Sequence, residues 1–348
     1  MANILLTNKC IRACPYCFAG KEMALSSRKD FISWENIVYL ADFLQASGEK
    51  HLSLLGGEPA IHPQFVDILL YLIDRGFGVT TFTSGVMSTT TREELEKGLA
   101  GLLPDKAHFV CNINNPSQTP APKSENEQVH AFLSGLGAWT MPGFNIYRKD
   151  FDLEFIFDLI GRYGLKKRLR LGLAHPIPGS ENEFIRAEDI GAVIERLYSY
   201  RDLFNQLHVR PNFDCGFPLC RVTDEQLGWL ARLSGRMNFI CNPAIDITPD
   251  MQVYCCFPLA SLNKKSLFEF DSFKAIVAYY RNLQACVRGE IGGIYEECAT
   301  CVHRAQEMCA GGGACQLVKR MADEAPETIL DIVDAYDKAY LPERTGVA

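Results

Sequence analysis

The sequence lacks any apolar run of membrane-spanning length. Its longest candidate, residues 65–73, is broken by Asp67 and stopped by Asp74, whereas a spanning helix needs about 20 apolar residues. It also lacks a charged leader followed by an apolar stretch and a cleavage site; it starts MANILLTNKC. A soluble, cytoplasmic protein with no membrane partner is expected. Lysine and arginine never gather into a cluster, and the net charge is −7, which argues against nucleic acid as a partner. The most basic stretch, 166–170 (KKRLR), reads as the solvated start of a strand. Internal repeats and low-complexity tracts are absent too.

Cysteine is plentiful by contrast. Of 14 cysteines, three fall in the first 17 residues, one at 111 and ten from 215 to 315. In a reducing compartment such density argues for metal rather than disulfides, and the uneven placement suggests two metal-bearing regions. With 47% hydrophobic residues in 348, the chain can bury one large core and a smaller one.

The first two thirds alternates short apolar runs with amphipathic stretches. Strands are expected over 2–8, 51–55, 79–83, 107–114, 143–147 and 168–175. Helices are expected over about 34–48 (capped by Ser33), 63–75, 91–102, 127–136, 152–163 and 187–204. Six strand–helix units imply parallel strands with right-handed crossovers. An open doubly wound sheet and a barrel both satisfy this, and in either the chemistry belongs at the C-terminal strand ends. From about 206 the alternation gives way to Cys, Gly and Pro, with short antiparallel strands over 245–248 and 251–255 around Pro249-Asp250. Helices over 316–323 and 327–340 close the chain. The longest loop, 116–126, follows the fourth strand and is a candidate lid.

Residues 10–17, CIRACPYC, carry the chemistry. Cys10, Cys14 and Cys17 suit one soft metal cluster. Three thiolates can hold a 4Fe–4S cube and leave its fourth iron open for the amine and carboxylate of a small molecule. A zinc site would want a fourth nearby ligand, and none follows before His51.

This C-x3-C-x-aromatic-C spacing, with Tyr16 as the aromatic residue, resembles the radical S-adenosylmethionine (AdoMet) superfamily. The Gly56-Gly57-Glu58-Pro59 run after the second strand matches that family's GGE motif, which contacts the AdoMet amino group. The resemblance selects a partial (β/α)6 barrel over 1–207. It implies an AdoMet-bearing 4Fe–4S cluster on the three cysteines and an external one-electron donor, flavodoxin or ferredoxin. Ser84, Asn112 and Asn114, at the ends of strands three and four, are candidate AdoMet contacts. Tyr147 and His175, at the ends of strands five and six, are candidate catalytic residues; a capping or supporting role is the alternative at each.

The late cysteines resemble the SPASM or twitch extension of such enzymes, placed over 208–320 as a small cysteine-rich α+β domain, with 321–348 as a helical tail. Cys241 and Cys256 fit its hairpin, with Met251 where the family usually has Gly, and Cys298-x2-Cys301 fits the next element. Later spacings are longer than the family's, and no cysteine follows Cys315. One or two auxiliary 4Fe–4S clusters are implied. Two would place Cys220, Cys241 and Cys256 in the nearer and Cys298, Cys301 and Cys309 in the outer, with Cys215 and Cys315 completing them and Cys255 unassigned. A zinc ribbon on Cys298, Cys301, Cys309 and Cys315 is the alternative, and Cys111 and Cys286 read as buried thiols.

The resemblance implies reductive cleavage of AdoMet to a 5′-deoxyadenosyl radical and hydrogen abstraction from a substrate. A peptide or protein side chain is the first expectation, with oxidation, crosslinking, thioether formation and epimerisation as outcomes. The first strand starts at residue 2, so an N-terminal peptide-recognition domain is not expected and a separate protein would supply that role. A small-molecule metabolite is the second expectation, and a metal-stapled binding protein the third.

Overall fold

The computed structural model describes residues 2–20, 30–103, 105–179, 181–234, 239–242 and 244–340. Strands and helices alternate as β1 (Ala2–Thr7), α1 (Trp34–Ala46), β2 (His51–Gly56), α2 (Phe65–Asp74), β3 (Gly78–Thr83), α3 (Thr89–Leu99), β4 (Ala107–Asn112), α4 (Lys123–Leu136), β5 (Thr140–Ile146), α5 (Glu154–Tyr163) and β6 (Arg168–Leu173). Local chemistry sets the boundaries. The side chains of Ser33 and Ser88 accept from Asn36 and Thr91 N–H groups to start α1 and α3. Gly164, at φ 60°, ends α5. The single helix expected over 187–204 is two, α6 (Ile190–Ser199) and α7 (Arg201–Leu207). The break falls at Tyr200, which is buried and whose hydroxyl is held by Asp152 at 3.0 Å.

The parallel sheet runs one strand further than expected. β7 (Arg210–Phe213) pairs in parallel with β6; its four residues include Pro211, which an edge strand tolerates. The late region then adds α8 (Asp224–Leu233), β8 (Ile245–Ile247), β9 (Gln252–Cys255), β10 (Lys265–Ser266), α9 (Phe273–Ile291), α10 (Ala314–Glu324) and α11 (Pro326–Tyr340). β8 and β9 form the expected antiparallel hairpin. β8 also lies parallel to β1, with Ala2 opposite Ile245, so early and late parts share one sheet of order β10-β9-β8-β1-β2-β3-β4-β5-β6-β7. This is an α/β partial barrel with a cysteine-rich C-terminal part. Lys265 (2.6 Å), Tyr279 and Asn263 converge on Asp337, tying α11 to the sheet edge and α9; residues 341–348 of the expected tail lie outside the described ones.

Candidate active site

The cysteine loop and the Gly-Gly-Glu run form one backbone unit. After β1 and β2 end side by side, the N–H of Gly57 donates to Thr7 O (2.9 Å) and that of Glu58 to Lys9 O (2.8 Å). Gly56 has φ 147°, and a Cβ there would stand 2.3 Å from Thr7 O. The glycines therefore serve close approach to the backbone that leads into Cys10. Glu58 is buried, 1% exposed. Its carboxylate accepts from Thr83 Oγ1 (2.7 Å), from the N–H (2.7 Å) and hydroxyl of Ser84, and from Ala60 N–H (3.3 Å). Glu58 thus locks the end of β3 to the cysteine loop, and Ser84 reaches the site through it. Burial raises the Glu58 pKa against these bonds.

The three thiols lie on this loop, Cys10 exposed and Cys14 and Cys17 half-buried. Donors meet them: Arg12 N–H faces Cys10 Sγ at 3.5 Å and the Asn114 amide faces Cys14 Sγ at 3.7 Å. Burial above all, with Glu58, Cys17 and Cys14 adding, pushes the Cys10 thiol up to about 11. A cationic cluster iron would supply the positive charge that the thiolates lack here, so the donor set fits a 4Fe–4S group held by three cysteines. Arg12 itself donates to Glu125 and to Asn112 O, the latter at 3.2 Å, which fixes the loop against β4 and α4.

Asn114 also accepts from the Tyr16 hydroxyl. Tyr16 stacks on Tyr147 with ring centroids 4.8 Å apart, and the Tyr147 hydroxyl pairs with Thr119 Oγ1 at 2.8 Å. The loop after β4 is thereby tied over the aromatic pair; its far end is already helix, because α4 starts at Lys123.

Arg170 corrects one expectation. It belongs to the basic stretch read as solvated, yet it is buried while Lys167 and Arg168 are exposed. It donates to Asn112 Oδ1 (2.9 Å) and Asn145 Oδ1 (2.8 Å), and pairs with Asp214. Its room comes from Gly143 and Gly172: a Cβ on the first would stand 2.6 Å from Asn112 Oδ1, and on the second 2.8 Å from Arg170 Nη2. Asn112 therefore serves this polar floor. Sequence reasoning missed Arg170 and Asp214; the signal was a glycine on each neighbouring strand, Gly143 level with Arg170 and Gly172 level with Asn145.

The late cysteines fall into two groups, and the grouping differs from the expected one. Cys215 and Cys315 are buried thiols raised first by burial and then by the charges of Cys241, Cys256 and each other. Cys215, Cys241, Cys256 and Cys315 thus form the first group. Cys220 stands apart from it: it lines a void of about 20 Å³ with Cys298, Cys301 and Cys309. Cys315 therefore does not complete the proposed zinc ribbon. Among the described residues no three His, Cys, Asp or Glu side chains converge as ligands of one metal ion. Arg288 donates to Gly312 O (3.1 Å) and Ala310 O, and its charge lowers the Cys241 pKa against burial. Met251 takes φ 63° at the hairpin turn, the conformation that the family's glycine would supply. Cys111 is buried as expected, but Cys286 is exposed on α9, and Cys255 accepts from the Gln284 amide at 3.0 Å.

His175 lies between the two regions. It is 5% exposed, and neither ring nitrogen has a hydrogen-bond partner among the described residues. Gly313 is its neighbour: a Cβ there would stand 3.4 Å from His175 Cε1 and 3.6 Å from Cys315 Sγ. Burial lowers its pKa to about 4, leaving a neutral imidazole at neutral pH.

A parallel partial barrel with a three-cysteine loop clamped to a Gly-Gly-Glu run at its mouth defines a radical AdoMet domain. Residues 4–109 match the model of the radical SAM superfamily, and this part of the chain belongs to it. Over 120 residues it is 32% identical to molybdenum cofactor biosynthesis protein 1 of Bos taurus, covering 31% of this chain and 19% of that one. It is 32% identical over 116 residues to a PqqA peptide cyclase of Rhizobium meliloti, covering 30% of each. The chain thus spans well under two thirds of these relatives. In fold it is similar to Streptococcus suis SuiB bound to S-adenosylmethionine (TM-score 0.60, 15% identity, 89% of this chain and 72% of that one). It is similar also to anSMEcpe with bound AdoMet (TM-score 0.61, 16% identity, 96% and 100%).

Proposed function

We propose that the chain is an enzyme that reductively cleaves AdoMet and abstracts a hydrogen atom from a peptide or protein side chain. The observation that carries this reading is the clamp between Gly56-Gly57-Glu58 and the Thr7–Cys10 backbone. It makes the three-thiol loop and the AdoMet motif one rigid unit at the barrel mouth. A 4Fe–4S cluster on Cys10, Cys14 and Cys17 together with AdoMet supplies, when bound, a 5′-deoxyadenosyl radical.

The chain's own residues set the geometry. Glu58 has both carboxylate oxygens engaged, so the main chain of the motif meets the AdoMet amino group. Ser84 and Asn112 act as positioning residues through Glu58 and Arg170. Asn114 steadies Cys14, and Tyr16 and Tyr147 wall the site. Tyr147 and His175 face the substrate between the mouth and the first late-cysteine group. That group holds an auxiliary 4Fe–4S cluster. An external flavodoxin or ferredoxin supplies the electron, and a separate protein can present the peptide.

The peptide reading draws support from the PqqA peptide cyclases among the relatives. A small-molecule substrate is the second reading, favoured by molybdenum cofactor biosynthesis protein 1 and 7-carboxy-7-deazaguanine synthase among them. The test is anaerobic incubation of the reduced, reconstituted chain with AdoMet. 5′-Deoxyadenosine should form, and should vanish when Cys10, Cys14 and Cys17 are all changed to Ala. Its absence from the parent would leave a binding protein. Mass spectrometry of a short precursor peptide encoded beside the gene separates the two substrate readings: an unmodified peptide alongside continued cleavage favours the metabolite.

A further inference from the structure

The first late-cysteine group draws one member, Cys215, from the loop after β7 and another, Cys315, from the first turn of α10. Both segments carry a second cysteine facing elsewhere. Cys220 follows Cys215 by five positions, and Cys309 precedes Cys315 by six. We infer that Cys220 is the fourth thiolate of a second auxiliary four-iron cluster, with Cys298, Cys301 and Cys309. This rests on the reading that the late thiols bind iron–sulfur clusters, and it sets their number at two.

The four cysteines line one void, together with Pro218, Leu219 and Arg304. The loop bearing Cys220 is fixed from both sides. Phe217 is buried between Phe213 (5.1 Å) and Phe239 (5.3 Å), which anchors the stretch between the two cysteines. Arg221 stacks on Tyr295 at 4.2 Å, tying the Cys220 turn to the segment that leads into Cys298. Glycine makes the opposite wall: a Cβ on Gly293 would stand 2.5 Å from Cys298 Sγ, and Gly311, at φ 71°, follows Cys309 and donates its N–H to that sulfur at 3.4 Å. Arg304 donates to Cys298 O at 3.3 Å and brings a cation to the set, as an anionic four-thiolate cluster requires.

Zinc would gather sulfurs at bonds of about 2.3 Å. A cube, with an iron facing each thiolate, sets its ligands wider. The two clusters would then be strapped together twice, through 215–220 and through 309–315.

The test counts iron in the full chain carrying the Cys10, Cys14 and Cys17 to Ala background, reconstituted anaerobically. That chain should hold about eight irons, at four per cube. Adding Cys220→Ala should leave about four, adding Cys241→Ala about four, and adding both close to none. Eight irons with Cys220→Ala, or four in the combined variant, would overturn the assignment, as would zinc in the void. A second readout guards against loss by misfolding. In the loaded parent, Cys220 should resist alkylation while exposed Cys286 reacts; with Cys298→Ala, Cys220 should become labelled and Cys215 stay protected. Labelling of Cys220 in the loaded parent would also sink it. A parent chain that shows this iron pattern but makes no 5′-deoxyadenosine refutes the proposed activity and leaves this assignment standing.

Discussion

A Cβ on Gly57 would stand 1.8 Å from the carbonyl oxygen of Lys9 and 2.7 Å from the Cys10 nitrogen. Both obstacles are backbone, so no rotamer change relieves them. Gly57→Ala should push the cysteine loop away, at an overpacking cost of about 1–3 kcal/mol. Iron should fall by about four per chain and 5′-deoxyadenosine formation should be lost, with iron on the proposed late-cysteine clusters unchanged. Parent-like iron and cleavage would show that the loop yields.

Tyr147→Phe removes the bond to Thr119 but keeps the ring against Tyr16. His175→Ala removes a buried imidazole beside Gly313. Both variants should keep their iron and still cleave AdoMet. Product formed per 5′-deoxyadenosine should drop roughly tenfold or more, because a misplaced target atom is costly. If both couple like the parent, these residues are scaffold.

Met251 combines a left-handed backbone with a side chain 3% exposed. The backbone costs about 1 kcal/mol for an L residue, while burying the side chain returns roughly 1.5–3 kcal/mol. Met251→Ala forfeits the burial without relieving the backbone, and Met251→Gly relieves it. Both should be less stable than the parent in denaturant titrations, with Gly above Ala by about 1 kcal/mol. An Ala variant as stable as Gly would mean that the turn is unstrained.

Asp246 on β8 is buried, and burial outweighs the bonds from Asn3 and Phe257, raising its pKa from 3.8 to about 7. The folded chain then keeps this proton over a range where the unfolded chain has released it. Stability from this group is full below 3.8 and is lost as pH rises through about 7. The slope can reach about 1.4 kcal/mol per pH unit. Asp246→Asn should flatten the decline in anaerobic urea midpoints between about pH 4.5 and 6.5, values within the range of roughly three units that the shift spans. An unchanged slope would place the pH dependence elsewhere.

The six strand–helix units, the cysteine loop and the Gly-Gly-Glu run were legible because each is a local pattern. The partnership of β1 with β8 was not, since it joins residues some 240 positions apart. β7 escaped because RPNF is short and carries a proline. Arg170 escaped because Leu169 and Leu171 imply an apolar face beside a polar one, and both faces are covered. α9 could have been found: Ser272 caps it, and Phe273, Ile276, Tyr280, Leu283 and Val287 recur at helical spacing. The cysteine grouping could not, because spacing along the chain does not say which side of a loop a thiol faces.

The sheet is an open hoop. Its order ends at β7 on one side and at β9–β10 on the other, yet Cys215, two positions past β7, and Cys256, next after β9, stand within reach of each other's charge. Among the described residues, hydrogen bonds between strands do not close this circumference. Thiols from both rims, with Cys241 and Cys315, gather across the gap instead. A group held by these four thiols would span the gap as a buckle spans a belt, while the Arg170 floor joins β4, β5 and β6 by side-chain bonds as well as strand pairing.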